Sequence, residues 1–152
     1  MAKAGLILLG AKDLERTFRT LGDRVQRKVT RQAVNAGATP VVKAARAKAA
    51  KESGLLRKSL GKKIRTYKQS GTVAAIIGPR TDVEGEYKGE IRKPKFYAHL
   101  VEGGHIDANG NHVPAQPFLR PAFDETQGQA LEVIKEKLAE GVVKEAKKAG
   151  GK

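Results

Sequence analysis

The chain has 152 residues, 30 Lys/Arg against 16 Asp/Glu for a net charge of +14, and no cysteine. That length fits one domain with a modest core, and the missing cysteine excludes a disulfide scaffold, cysteine-ligated zinc and thiol chemistry. Four of the seven aromatic residues (Phe96, Tyr97, Phe118 and Phe123) lie between 96 and 123, so dense packing is expected there.

The chain opens on "GLILLG", an apolar run far shorter than the roughly 20 residues of a membrane span. No small-residue cleavage site follows a long apolar region, as a signal peptide requires. This reading expects a soluble protein with flexible ends at 1–10 and 149–152. From Asp13 to Ala38 the apolar residues step as Leu14, Phe18, Leu21, Val25, Val29, Ala33 and Ala36. Spacings of three and four mark one face of a helix, with a break expected near Gly22. The opposite face carries Arg16, Arg19, Arg24, Arg27, Lys28 and Arg31. Pro40 is expected to kink or restart that helix, and the small residues after it leave room for a partner helix.

"KKIRTYK" and "TVAAIIG" read as two strands joined by a hairpin turn at "QSG". Residues 80–95 are charged and glycine-punctuated, which suits a mobile loop or an extended hairpin arm. "FYAHLVEGG" reads as a short helix ending at Gly103-Gly104. Asn109-Gly110 is a strong hairpin signal. "VPAQPFLRPAF" (113–123) holds three of the six prolines and runs into a last helix, with Pro121 in its first turn. The apolar stripe of that helix is read as Phe123, Ala130, Leu131, Ile134, Leu138 and Val142. The expected fold is therefore α+β: a long N-terminal amphipathic helix kinked near Pro40, one small antiparallel sheet of hairpins, and a C-terminal helix packed across it.

Little in this order suggests chemistry. His99, Glu102, His105, Asp107 and His112 fall close together, but His99 and His105 are six apart with two glycines near the second. His105 and His112 flank a hairpin tip, where they would lie opposite each other, and two ligands do not make a metal site. No nucleophile elbow or phosphate-cradling glycine loop is present. The reading expects no catalysis, metal or cofactor, and a salt bridge from Glu102 to Arg46 or Arg120. The charge is uneven: residues 1–66 hold 17 Lys/Arg against 4 Asp/Glu. Such an excess suits nucleic acid, an acidic neighbour or solubility alone. Arg24, Arg27, Lys28 and Arg31 form the candidate basic contact face.

"AGATPVVKAARAKAAKESGLLRKSL", "FYAHLVEGG" and "VPAQPFLRPAFDE", in that order, resemble the neck proteins of long-tailed bacteriophages, also called head–tail joining, connector or tail-completion proteins. The likeness spans roughly residues 11–60 and 96–140. The chain departs from it at Ala50-Lys51-Glu52-Ser53-Gly54, at Gly103-Gly104, and in the long 80–95 loop. The resemblance implies a structural virion protein, assembled in the host bacterial cytoplasm as a sixfold ring. That ring would sit between a connector or stopper and a tail terminator or tube protein, with genomic double-stranded DNA in its lumen. Pro117, Phe118, Leu119 and Arg120 are the expected assembly interface, with Phe118 turned outward and Phe123 in the protomer core. A basic nucleic-acid-binding module is the alternative.

Overall fold

The computed structural model describes residues 11–150; "GLILLG" and the last two residues lie outside them. Helix α1 (Ala11–Thr20) is followed by α2 (Asp23–Lys48), α3 (Leu55–Ser59), β1 (Leu60–Thr66) and β2 (Val73–Pro79). Then come β3 (Gly85–Tyr87), β4 (Glu90–Arg92), α4 (Pro94–Gly103), β5 (His105–Ile106), β6 (His112–Val113) and α5 (Leu119–Gly150). The class is α+β, as expected. Instead of one sheet, the strands form three separate two-stranded ladders, each a pair of sequence neighbours.

Read above as one domain, the described chain clusters into two compact units: 11–37, 64–75 and 129–150 in the first, 38–63 and 76–128 in the second. In the first, Leu21, Val29 and Val142 are buried, with Leu14, Phe18, Val25 and Leu138 packed on them. The break at Gly22 is present. Gln26 closes it, its side-chain amide donating to the carbonyls of Phe18 and Leu21 at 3.1 and 2.7 Å, which caps the end of α1. Two helices approach closely at glycines. A Cβ on Gly141 would stand 2.6 Å from Val29 Cγ1, and one on Gly37 would overlap Ile134 and reach 2.9 Å from the Ala130 carbonyl. Of the small residues after Pro40, Ala45 and Ala49 are buried in the second unit. The chain stays helical through Pro40 instead of restarting there. Only one intrahelical donor is lost in a helix of 26 residues.

The second unit is built on Ala45, Ala49, Leu56, Leu60, Ala98, Phe118 and Ala122, with Tyr97, Val101 and Leu119 packed against them. Arg46 donates twice to the Leu60 carbonyl, at 3.1 and 2.7 Å. Residues 80–95 form the hairpin of the two alternatives. Gly85 pairs with Arg92 and Tyr87 with Glu90, and Lys88 and Gly89 at the tip both take positive φ (52° and 80°), as a type I′ turn requires. Helix α4 begins on Pro94 and stops at Gly104, whose φ is 72°. The Asn109-Gly110 hairpin is also present, closed by Asp107, whose carboxylate accepts from the backbone of Asn109 and Asn111 at 2.9 and 2.8 Å.

Candidate functional site

The proline-rich segment docks on its own unit. The N–H of Gln116 donates to the Val101 carbonyl at 2.8 Å. A Cβ on Gly104 would stand 2.9 Å from Ala115 N, so the segment lies directly on the end of α4. At the start of α5, Glu102 takes three backbone donors. Its Oε2 accepts from Phe118 N at 2.7 Å and Leu119 N at 2.9 Å, and its Oε1 from Arg120 N at 3.0 Å. The next residue, Pro121, has no N–H to satisfy. A first helical turn that would otherwise present bare donors is thereby closed by one side chain. Partial burial works against ionisation of Glu102, but the three amides and nearby Arg120 outweigh it and hold the carboxyl below its ordinary value. The salt bridge expected to Arg46 or Arg120 is corrected here: backbone amides are the direct partners, Arg46 donates to Leu60, and Arg120 acts only as a nearby charge.

Of the four expected interface residues, Phe118 is fully buried, Leu119 is half-buried, and Pro117 and Arg120 are exposed. The orientation expected for the two rings is reversed, since Phe123 is 52% exposed. Of the expected α5 stripe, Ala130 and Val142 are buried and Leu138 packs on the core, while Phe123 and Leu131 turn outward and Ala122 and Thr126 are buried instead. With Glu102 pinning residues 118–120, the helix phase is set by Phe118 and Ala122, which turns Phe123 and Leu131 outward.

The four basic residues share one face of α2. Arg24, Arg27, Lys28 and Arg31 line one wall of a hollow of about 630 Å³, with Gln32 and Asn35 beyond them on α2. The other wall is Ile64, Thr66 and Lys68, alternate positions along and just past β1, which sequence reasoning did not connect to the helix. Their period of two against the helical period of 3.6 is the signal that was available. Lys28 meets Glu145 at 3.0 Å and Arg27 lies 3.9 Å from Asp23. Lys28 and Lys148 hold the Glu145 carboxyl below its usual range. Arg31 reaches only the Thr66 hydroxyl, at 3.4 Å. Among the described residues no carboxylate lies within 4 Å of Arg24, Arg31 or Lys68.

The histidines do not converge. His105 pairs with Val113 and Ile106 with His112, so the two imidazoles fall on successive positions of the ladder and not opposite each other. Among the described residues no three His, Cys, Asp or Glu side chains are grouped to hold a metal, and no helix is long and apolar enough to cross a membrane. Residues 12–104, from α1 through α4, match the family described as "Bacteriophage HK97-gp10, putative tail-component". The chain belongs to this family. It is thus a structural component of the phage tail or head–tail region, which suggests a place in the virion. No curated protein and no solved structure matches the chain. The family match stops at residue 104, just past the glutamate that receives the proline-rich segment, so that clasp rests on this chain's own geometry.

Proposed function

We propose that the protein is the subunit of a hexameric ring at the head–tail junction, where it completes or joins the tail. It has no catalytic role and no cofactor. A connector or stopper protein would lie on one side and a tail terminator or tube protein on the other, with the double-stranded genome passing through the lumen. Assembly would take place in the host cytoplasm. The observation that carries this reading is the family match over residues 12–104. Exposed apolar side chains support it: Ile91, Phe96 and Ile106 are 72, 66 and 70% exposed, an arrangement that suits surfaces covered on assembly. The assembly surface takes Pro117 and Arg120 from the expected set, with Phe123 in place of the buried Phe118.

Negative-stain imaging and mass photometry of the purified protein, alone and with tail tubes, test this. Rings, or incorporation at the tube end, are expected. A monomer that never joins tubes would overturn the reading. A nucleic-acid-binding module, the alternative the +14 charge permits, would instead bind duplex DNA as an isolated monomer, with affinity falling steeply with salt.

A further inference from the structure

We propose that the hollow between α2 and β1 receives an acidic segment of a partner polypeptide. The inference rests on the structural role above and names the chemistry of one partner. Four cations on successive turns of α2 face Ile64, Thr66 and Lys68 on the opposite wall. Two of the five are compensated by Glu145 and Asp23, while Arg24, Arg31 and Lys68 have no carboxylate within 4 Å among the described residues. Two guanidiniums without a carboxylate, and an ammonium opposite, match carboxylates carried on a chain, since guanidinium forks bind carboxylates in bidentate pairs. Ile64 offers apolar contact to the stems of the incoming residues.

The shape favours a polypeptide over nucleic acid. Duplex DNA is read by elements that project into its grooves, the wider of which is about 12 Å across, whereas these cations line a concavity. Single strands are held by aromatic stacking platforms, and none of the hollow's lining residues is aromatic.

The test uses the full chain and two fluorescent probes, an acidic peptide of alternating Asp and Glu and a 20-base-pair duplex. Arg24→Glu with Arg31→Glu is compared with Arg57→Glu and Lys58→Glu, two exposed cations elsewhere. The expected result is that the first pair weakens peptide binding about tenfold or more, while the second changes it little and circular dichroism stays native for both. Equal losses from both pairs would show a diffuse charge effect and overturn the proposal. So would duplex binding that is tighter than peptide binding and is lost only in the Arg24/Arg31 variant. Failure of either kind leaves ring formation and tail joining unaffected as readouts. Absence of rings, conversely, would leave the peptide titration intact.

Discussion

At the start of α5 three backbone donors meet one carboxylate and the adjoining phenylalanine is fully buried. In the hollow beside α2, Arg24, Arg31 and Lys68 are exposed and meet no carboxylate among the described residues. Both regions are rich in polar groups near an apolar side chain, so composition alone does not separate them. What separates them is satisfaction. A group whose partner is supplied by the chain contributes to stability, and its loss leaves a neighbour unpaired. A charge without a partner contributes little to folding and remains available to another molecule. The clasp therefore reads as architecture and the hollow as a surface for binding.

Substitutions at the two regions should separate in size. Phe118→Ala empties a fully buried site and should cost about 3–5 kcal/mol. Thermal denaturation should show a fall of roughly 10 °C or more in a chain of this length. Glu102→Ala leaves three helix-terminal donors without their acceptor and should cost about 1–3 kcal/mol, with Glu102→Gln intermediate because one oxygen remains. The pH dependence has a definite sign. The folded-state carboxyl ionises below its ordinary value, so the contribution is fully present above the unfolded-state pKa, roughly 4.3. It is lost as pH falls through the lower, folded-state value. Melts from pH 7 to 3 should show the wild type converging on Glu102→Gln. In the first unit, Gly37→Val drives side-chain atoms into Ile134 and the Ala130 carbonyl and should cost about 1–3 kcal/mol, read by urea denaturation. Smallest of all, Arg24→Glu with Arg31→Glu should shift stability by under about 0.5 kcal/mol.

Much of this fold is legible in residue order. Turn chemistry marks Asn109-Gly110, where Gly110 takes positive φ, because positive φ admits few residues. Three- and four-residue spacing places Leu21, Val29 and Ala33 on the buried face of the N-terminal helices. The phase of α5 is not legible in the same way. Phe123 and Leu131 lie as plausibly on an apolar stripe as Phe118 and Ala122 do, and the choice falls to a contact 16 residues away in sequence, from Glu102. The basic wall of the hollow was visible as a helix face. Its second wall was hidden because the pairing of α2 with Ile64, Thr66 and Lys68 is a tertiary fact.

The most direct test measures melting temperature and acidic-peptide affinity on the same samples of two variants, Glu102→Gln and the Arg24→Glu/Arg31→Glu pair. The account predicts that they dissociate. Glu102→Gln should lower the melting temperature by several degrees and leave peptide binding unchanged, while the arginine pair should melt within about 2 °C of wild type and lose most of its binding. If the arginine pair unfolds as readily as Glu102→Gln, or binds the peptide as tightly as wild type, the division between a satisfied clasp and an open binding surface is wrong.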